Sequence, residues 1–336
     1  MAKKKGKTLP TVGVVGSGSF ATAIVKMLLE NAKLVHWCVR NEFVKGALEL
    51  RGHNPNYLTS VTFDVKKLKI TTDINKLVSA CDIVVLATPS IYLADAIEKM
   101  TCDYEGKLFV SAIKGIVPKH NDVVAHYLRD VFKIGFRSQA VIAGPCHAEE
   151  VAMERLSYLT IAAAEKEHID ALRELFTSDY IKVSCSKDIL GNEYSAILKN
   201  IYAIAAGIAS GLGYGDNFNA VLVSNAIREM ELFLDAVYPE HREVNDSAYL
   251  GDLLVTAYSL FSRNRNLGNL IGKGYTVKSA VQSMSMVAEG YYATRGIYEI
   301  AYEKKLKTPI INTVFSILYE GKDAEKQFKK LTEKLT

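Results

Sequence analysis

Apolar residues are distributed differently in the two halves of this 336-residue chain. In the first half, short β-branched runs such as residues 83–87 and 108–113 alternate with segments whose apolar residues recur at helical spacing. Runs without a polar position are typical of parallel strands that are buried on both faces. The pattern therefore predicts an α/β domain. Two further strands are predicted in residues 157–164 and 181–186, one before and one after a helix in residues 169–176.

From residue 188 onward the pattern is helical, and no further strand run follows. Residues 193–210 are apolar on almost every face, which predicts a helix buried on all sides. A second long helix is predicted in residues 219–237, and the stretch 249–274 is predicted to contain an otherwise apolar helix that ends at residues 262–264. The expected protein has two domains, a sheet domain in residues 1–187 and an all-α domain in residues 188–336.

A glycine motif opens the sheet domain. The sequence TVGVVGSGSFATA contains Gly16-x-Gly18-x-x-Ala21 directly between a strand run and a helical segment. In the dinucleotide fingerprint the first glycine makes a tight turn, the second lets the backbone approach a pyrophosphate, and a small third residue permits close packing. The motif predicts a Rossmann-type, doubly wound sheet that binds a dinucleotide at Gly16 and Gly18, and a merely structural glycine turn is the alternative.

The second predicted strand ends at Arg40. A protein specific for NAD usually has Asp or Glu there for the ribose hydroxyls, whereas a guanidinium can pair with the 2′-phosphate of NADP. Glu42 lies close enough to complicate this interpretation, and a plain surface arginine is the alternative, so the sequence admits NADP or NAD. Pro89, Ser90 and Lys114 follow two buried strand runs, and the carboxyl ends of such strands line the ligand crevice. All three are therefore predicted to lie beside the cofactor, and a merely solvated Lys114 is the alternative.

The predicted buried helix carries Lys199 and Asn200. An ammonium group there is unfavourable by several kcal/mol unless a carboxylate, a ligand or a lowered pKa relieves it, so Lys199 is a candidate for chemistry. The alternative is that its side chain extends past small residues to the surface. Asp252 is the predicted counter-charge, and it recurs with Thr256 and Ser259 at helical spacing. Such a polar stripe on an apolar helix predicts an interior cavity.

Two further groups of residues complete the predicted site. The run Ser262-Arg263-Asn264, at a predicted helix end, offers a hydroxyl, a guanidinium and an amide to an anion such as phosphate, and a solvated helix end is the alternative. The glycine-proline turn that starts at Gly144 follows another strand run and is predicted to form a third wall of the crevice. His147 beside this turn could touch a substrate, although packing at the helix start explains it equally well.

Composition narrows the possible functions. Hydrophobic residues make up 49% and charged residues 23% of the chain, and no uncharged apolar run reaches the roughly 20 residues of a membrane span. The amino-terminal MAKKKGK, expected to be a solvated end, contains four lysines that account for the net charge of +4, so no nucleic-acid surface is predicted. Five cysteines without metal-binding spacing predict no metal site and a reducing, cytoplasmic location.

Seven motifs occur in the order found in one enzyme family: GSGSFATA, ATPS, IKGI, AGPCHAEEVA, LKNIYAIAAG, GDLLVTAYSLFSRNRNLG and VAEGYYAT. On these motifs the chain, from residue 11 to residue 309, resembles the NAD(P)-dependent sn-glycerol-3-phosphate dehydrogenases of the bacterial biosynthetic type. The resemblance implies a dinucleotide-binding sheet domain, a helical domain, an active site between them, and a homodimer. It also implies reversible reduction of dihydroxyacetone phosphate to sn-glycerol 3-phosphate for glycerophospholipid synthesis.

The resemblance also implies roles for individual residues. Lys199 would be the proton donor and acceptor. In the mechanism that we expect for such a site, Asn200 orients the substrate oxygen and Thr256 supports Asp252. With the motif residues above, the predicted cofactor contacts are Gly16, Gly18, Ser19, Phe20, Arg40, Pro89, Lys114, Ala148, Arg263, Val287 and Glu289. The predicted substrate contacts are Lys114, Gly144, Cys146, Lys199, Asp252, Ser262, Arg263 and Asn264. Two departures exist: Phe20 replaces a commoner Trp, and Cys146 stands where the family usually has Ser, a stronger hydrogen-bond donor.

The predicted chemistry is a proton transfer by Lys199. Burial and a second cation, Lys114, should lower the pKa of Lys199 while Asp252 opposes them, and the sequence leaves the balance open. Two other functions stay open, namely a two-domain dehydrogenase acting on hydroxy acids and a non-catalytic dinucleotide sensor that keeps the fold. The phosphate-binding run at residues 262–264 argues against the first, and the combination of two lysines with one aspartate argues against the second.

Overall fold

An eight-stranded sheet forms the first half of the protein in the computed structural model, which describes residues 9–336. The strands are β1 (Val12–Val15), β2 (Val35–Cys38), β3 (Leu68–Thr71), β4 (Ile83–Leu86), β5 (Leu108–Ser111), β6 (Gln139–Ala143), β7 (Ser157–Ala163) and β8 (Ile181–Ser186). Their order is β3-β2-β1-β4-β5-β6-β7-β8, and all neighbours are parallel except β6 and β7. The predicted solvated end, MAKKKGK, lies outside the described residues.

Helices cover both faces of the sheet and make up the second half of the protein. The first half contains α1 (Ser19–Leu29), α2 (Glu42–Arg51), α3 (Ile74–Ala80), α4 (Leu93–Ile97), α5 (Val124–Phe132), α6 (Ala148–Ala152) and α7 (Lys166–Phe176). The second half contains α8 (Ile189–Gly211), α9 (Asp216–Val237), α10 (Asp252–Tyr258), α11 (Arg263–Gly272), α12 (Val277–Ser283), α13 (Glu289–Glu303), α14 (Pro309–Tyr319) and α15 (Ala324–Thr332). None of the helices in residues 9–336 has the length and apolar content to cross a membrane.

The strand order creates a crevice at one edge of the sheet. The chain builds outward from β1 through β2 to β3 and then crosses back to β4 on the other side of β1. At such a switch point the connections after the two central strands leave in opposite directions and open a space beyond the strand ends. Every residue of β1, β4, β5 and β6 is buried, as their apolar runs predict. The predicted fold class, a doubly wound sheet domain with a helical second half, is confirmed.

Helix α8 is the centre of the helical half. Every residue from Ile189 to Ala209 is buried, which confirms the prediction of a helix enclosed on all sides. It packs against α9, α10, α11, α13 and α14 as well as against β6 of the sheet. Because each of its faces meets another element, its sequence lacks the polar stripe of an ordinary surface helix.

The backbones of α8 and α11 approach each other closely at four glycines. A Cβ atom on Gly207 would lie 2.0 Å from a backbone oxygen of α11, and one on Gly268 would lie 2.1 Å from a backbone oxygen of α8. One turn further along, Gly211 and Gly272 repeat the arrangement, with corresponding distances of 2.5 Å and 2.4 Å. Larger side chains would therefore push α11 away from α8, and with it the residues at the start of α11.

The helix predicted in the first part of the stretch 249–274 ends before the run 262–264 that the sequence indicates as its end. Helix α10 ends before Ser259, whose backbone is extended (φ −66°, ψ 136°). The Ser259 hydroxyl accepts a hydrogen bond from the Phe261 amide at 3.1 Å, a local bond by which serine competes with helical pairing. The polar stripe therefore stops at Thr256, and a new helix starts at Arg263.

We expect the Gly268→Ala variant to be less stable than the wild type by roughly 1–3 kcal/mol, because the added methyl group meets backbone atoms that cannot rotate away. Urea denaturation measures the loss. Gly46 is the matched control, since it lies in the exposed helix α2 and a Cβ atom added there would have no neighbour within 4 Å. Gly46→Ala should stabilise the protein by about 0.4–1 kcal/mol. Equal stabilities of the two variants would contradict the close approach of α8 and α11.

Candidate active site

A cavity of about 170 Å³ lies where the carboxyl ends of β4 and β5 meet α8, α10 and the start of α11. Most of the predicted site residues line it: Gly18, Ser19, Phe20, Pro89, Lys114, Cys146, Ala148, Lys199, Asn200, Asp252, Thr256, Ser262, Arg263, Asn264, Val287 and Glu289. Gly16 and Arg40 instead line an adjoining groove. The fold thus brings together side chains from both halves of the chain.

Two lysines share one carboxylate at the centre of the cavity. Lys199 donates a hydrogen bond to Oδ1 of Asp252, and Nζ of Lys114 lies 3.5 Å from Oδ2 of the same carboxylate. Only 4% of the surface of Lys199 and 1% of the surface of Asp252 are exposed. The alternative in which Lys199 extends to the surface is therefore wrong, and its charge is compensated inside the protein.

Burial is the largest influence on the pKa of Lys199. Burial lowers the pKa, the Asp252 carboxylate raises it, and the Lys114 ammonium lowers it again, so that it falls from 10.5 to about 7. The sequence leaves open whether burial or the Asp252 carboxylate has the larger effect on this pKa, and in the structure burial does. An amine with a pKa near neutrality can both donate and accept a proton at neutral pH.

Lys114 is held in place from several sides. Its Nζ atom lies 3.4 Å from the carbonyl oxygen of Gly144 and 5.4 Å from the centre of the Phe20 ring. Its own carbonyl accepts a hydrogen bond from the side-chain amide of Asn200 at 2.8 Å. Gly144 has a φ of +99°, and a Cβ atom there would lie 2.9 Å from the backbone oxygen of Tyr158. Gly144 is not among the residues that line the cavity, its carbonyl oxygen lies beside Lys114, and its substrate contact stays a prediction.

Two predicted site residues have surroundings that the sequence does not indicate. The Thr256 hydroxyl donates to the backbone carbonyl of Asp252 at 2.6 Å. Thr256 thus contacts Asp252 through the backbone, and its support of Asp252 in the reaction stays a prediction. Burial raises the pKa of the Cys146 thiol to about 12. Cys146 consequently stays protonated at the edge of the cavity, where it offers a weak donor.

The start of α11 forms the candidate anion site. Ser262 is the residue that precedes the helix, and Arg263 and Asn264 occupy its first turn. The amino terminus of a helix carries partial positive charge and unpaired N–H groups, which add to the attraction of the guanidinium for an anion. Arg263 also donates to the Ser19 hydroxyl across the crevice. The Asn264 side-chain oxygen accepts from the Gly290 amide at 2.9 Å, which leaves its NH₂ group for a ligand.

A groove of about 1070 Å³ adjoins the cavity and passes in front of β1 and the start of α1. Gly16 has a φ of +129°, and a Cβ atom there would lie 2.5 Å from the backbone oxygen of Ala87. Only glycine fits this turn. Nothing lies within 4 Å of a Cβ position on Gly18, so open space remains in front of the helix amino terminus. This arrangement fits the pyrophosphate of a dinucleotide.

Arg40 lines the same groove together with Thr72 and Asp73. The two nearby carboxylates are engaged elsewhere. Glu42 accepts a hydrogen bond from the Thr72 hydroxyl at 2.6 Å, and Asp73 accepts one from the Asn75 amide at the start of α3 at 2.9 Å. Each of these carboxylates therefore has a hydrogen-bond partner other than Arg40, which lines the groove.

Glu289 joins the helical half to the sheet half beside the cavity. Its carboxylate accepts hydrogen bonds from the amide of Ser90 at 2.9 Å and from the hydroxyl of Ser90 at 2.5 Å, and burial raises its pKa. The helical half also supplies Met284, Met286 and Tyr291 to the groove wall. These three residues are not predicted from the sequence, because no motif distinguishes an apolar side chain that lines a groove from one that fills a core.

We expect Asp252→Asn to destabilise the protein more at low pH than at high pH. Without the carboxylate the pKa of folded Lys199 falls further below its unfolded value, so the unfolded chain binds more protons and stability rises with pH. Urea denaturation at about pH 5 and at about pH 9 measures the difference. Asp170→Asn, which removes an exposed partner of Arg173, is the control with little effect at either pH. An equal loss from Asp252→Asn at both pH values would contradict the assignment.

Known proteins of one enzyme family are similar to this protein over nearly its whole chain. Residues 11–169 and 188–329 match the family models described as the N-terminus and the C-terminus of NAD-dependent glycerol-3-phosphate dehydrogenase. The glycerol-3-phosphate dehydrogenase (NAD(P)+) of Chlorobium limicola is 33% identical over 94% of this chain and 95% of its own length. That of Staphylococcus epidermidis is also 33% identical, over 96% and 98% of the two chains.

A solved structure of the same enzyme family is also similar to this protein. The glycerol-3-phosphate dehydrogenase of Coxiella burnetii has a TM-score of 0.90 at 25% identity and covers 97% of this chain and 100% of its own. A D-mandelate dehydrogenase shares only the fold, with a TM-score of 0.60 at 11% identity, covering 96% and 99% of the two chains. The chain is therefore a nicotinamide-dependent oxidoreductase that belongs to the NAD-dependent glycerol-3-phosphate dehydrogenase family.

Proposed function

We propose that the protein catalyses the reversible NAD(P)H-dependent reduction of dihydroxyacetone phosphate to sn-glycerol 3-phosphate. One observation carries the proposal: a buried amine, Lys199, is paired with Asp252 in a cavity that opens on one side to a dinucleotide groove and on another to the start of α11. The relatives at 33% identity carry this enzyme name. When bound, the nicotinamide supplies the hydride that reduces the ketone.

Lys199 is the proposed proton donor. As the ketone is reduced, its oxygen gains negative charge and must take up a proton. Lys199 delivers that proton in the direction of reduction and removes it from the alcohol in the direction of oxidation. Its pKa of about 7 leaves both forms populated near neutrality. Asp252 fixes the position of the amine through a hydrogen bond.

Lys114 and Asn200 prepare the surroundings of this transfer. The Lys114 ammonium adds a second positive charge beside the position of the reacting oxygen, which stabilises the developing negative charge. The Asn200 amide is committed to the Lys114 backbone carbonyl. We therefore assign to Asn200 the positioning of Lys114, in addition to any contact that its side-chain oxygen makes with the substrate.

The phosphate of the substrate is assigned to the start of α11. Arg263 supplies a guanidinium that can bind two phosphate oxygens, and the Ser262 hydroxyl and the Asn264 amide lie next to it. The helix amino terminus adds its partial positive charge. Binding energy from the phosphate then holds the ketone in one orientation against Lys199. A hydroxy-acid substrate has no phosphate that the run Ser262-Arg263-Asn264 could bind.

A spectrophotometric assay tests the proposed function. The wild-type protein should oxidise NADPH when dihydroxyacetone phosphate is added and should be inactive with 2-oxo acids of similar size. Activity with 2-oxo acids alone would favour a hydroxy-acid dehydrogenase. Cofactor binding without turnover of either substrate class would favour the non-catalytic sensor.

Lys199→Ala is expected to keep NADPH binding and to lose about 100- to 10,000-fold in kcat, because the proton donor is gone while the groove is intact. Stopped-flow assays measure kcat, and NADPH fluorescence titration measures binding. Lys182→Ala, on the exposed face of β8, is the control. Near-normal turnover by Lys199→Ala would remove Lys199 from this role.

In the wild type, the rate of reduction should fall as the pH rises through about 7, since Lys199 then loses its proton. Stopped-flow assays over a range of pH measure this rate.

Preference for NADP over NAD is assigned to Arg40, whose guanidinium can pair with the 2′-phosphate. We expect Arg40→Ala to raise KM for NADPH by about tenfold or more, because a charge-assisted hydrogen bond is lost, and to change KM for NADH little. Arg51→Ala, at the carboxyl end of α2, serves as the control. A similar rise of KM for both cofactors would show that Arg40 does not distinguish them.

Three further assignments rest on the family resemblance. We propose a boundary between a sheet domain in residues 1–187 and a helical domain in residues 188–336, and the turn between β8 and α8 at Lys187 supports it. A homodimer and a cytoplasmic location are proposed on the same basis. Sedimentation velocity measures the number of subunits, and limited proteolysis measures whether cleavage occurs near the proposed boundary.

A further inference from the structure

A carboxylate outside the cavity stands where α8 begins. Asp188 immediately precedes α8, and its Oδ1 atom accepts a hydrogen bond from the Gly191 amide at 2.8 Å. A side-chain oxygen in this position pairs one of the N–H groups that the first turn of a helix leaves free. Only 14% of the Asp188 side chain is exposed. The carboxylate thus fixes the start of the helix that carries Lys199.

The second oxygen of this carboxylate reaches other parts of the helical half. Oδ2 of Asp188 accepts hydrogen bonds from the Tyr249 hydroxyl and from Nε of Arg242, both at 2.9 Å. The buried Arg242 guanidinium also donates to the carbonyl of Tyr238, which follows α9, at 2.8 Å. A shielded carboxylate is tolerated where a cation and further donors pair with it. Asp188 therefore joins the start of α8, the end of α9 and Tyr249.

Tyr249 lies in the turn that leads into α10. This turn, Ser247–Gly251, is π-helical, and Asp252 follows it as the first residue of α10. Such turns are rare and occur frequently at functional sites. The Gly251 amide reaches the carbonyl oxygen of Asp246 at 3.4 Å, which is long for a hydrogen bond. Side-chain contacts such as the one made by Tyr249 therefore contribute more to the position of this turn.

Both members of the central ion pair are connected to Asp188. Lys199 lies about three turns further along α8, and Asp252 follows Tyr249 by three positions. The hydrogen bond between Lys199 and Asp252 joins two helices, so its geometry depends on how the start of α10 is placed against α8. Neither Asp188 nor Tyr249 is among the residues that line the cavity.

We propose that Asp188 and Tyr249 are positioning residues, which hold the start of α10 against α8 and so keep the Asp252 carboxylate in place beside Lys199. This role rests on the proposed function. Asp252 would then be held from outside the cavity, where substrate and cofactor do not reach. The placement matters to the reaction because a small displacement of a reacting group can greatly reduce a rate.

The Tyr249 hydroxyl keeps its proton at neutral pH and somewhat above. Burial, and then the Asp188 carboxylate, raise the pKa of Tyr249 above its usual value of 10. Tyr249 therefore remains a hydrogen-bond donor throughout the pH range in which Lys199 titrates. Around Lys199, the Asp252 carboxylate raises the pKa, and the Lys114 ammonium lowers it. A change in the pH dependence of the reaction thus reports on how Asp252 is placed.

Tyr249→Phe tests this role, because it removes the hydroxyl and keeps the ring. We expect kcat for dihydroxyacetone phosphate to fall on the order of 10-fold, with little change in KM for NADPH. The pH at which the rate of reduction falls should move below the wild-type value by about half a unit to one unit, since a less firmly placed Asp252 raises the pKa of Lys199 less. Stopped-flow assays over a range of pH measure both quantities.

Tyr180→Phe is the matched control. The hydroxyl of this buried tyrosine also donates to a carboxylate, that of Glu30, at 2.8 Å, but it lies in the sheet half and away from the cavity lining. Both variants lose one hydrogen bond between a tyrosine and a carboxylate. Tyr180→Phe should keep the wild-type kcat and the wild-type pH profile.

Asp188→Asn approaches the same connection from its other end. The amide keeps an oxygen for the Gly191 N–H group but loses the negative charge that Arg242 and Tyr249 share. It should change kcat and the pH profile in the same direction as Tyr249→Phe, and it keeps the test decisive if that variant misfolds. The double variant should lose less than the product of the two single losses, because both mutations break one connection.

The outcomes separate this role from the proposed function. A wild-type kcat in Tyr249→Phe and Asp188→Asn, a lower kcat with an unchanged pH profile, or an equal effect of Tyr180→Phe would overturn the positioning role and leave the reductase activity standing. Failure of the wild type to oxidise NADPH with dihydroxyacetone phosphate would overturn both. A lower kcat with a shifted pH profile, confined to the two variants at this connection, supports the positioning role.

Discussion

The ion pair between Lys199 and Asp252, held out of water, is the interaction on which the arrangement of the helical half depends. A buried ammonium is tolerated only where a carboxylate is fixed against it and the surroundings exclude other conformations. Helix α8 meets this condition because other helices and the sheet cover all of its faces. The glycines between α8 and α11 bring a third helix close enough for its first turn to reach the same cavity.

Charged side chains of both signs line the cavity. Three are cationic, namely Lys199, Lys114 and Arg263, and three are acidic, namely Asp252, Glu149 and Glu289. Asp252 is shared between the two lysines, and Glu289 accepts hydrogen bonds from Ser90. Arg263 lies at the start of α11, where the helix terminus adds to its attraction for an anion. The positive charge at Lys114 helps to lower the pKa of Lys199. Burial, and then the same two lysines, lower the pKa of His147 beside them to about 4.

Much of the fold could be predicted because each strand and helix is marked locally. The apolar runs of β4 and β5, the Gly16 turn and the uniformly apolar α8 all follow from short-range patterns. The helix predicted to end at residues 262–264 ends earlier, before Ser259, whose hydroxyl accepts a hydrogen bond from the Phe261 amide. The Thr256 hydroxyl donates to the backbone of its own helix. Helical spacing indicates which residues share a face but does not indicate which hydrogen bonds they form.

The sequence by itself determined the elements, the glycine turn and the presence of a charged amine in an apolar helix, because these depend on neighbours within one or two turns. Only the tertiary structure decided which partners meet. Glu289 reaches Ser90 across 199 positions of the chain, and Arg263 reaches Ser19 across the crevice. The pKa of Lys199 was decided in the same way, because it depends on the depth of burial and on the positions of Asp252 and Lys114. Those quantities arise from the packing of whole helices against the sheet, and no local pattern specifies them.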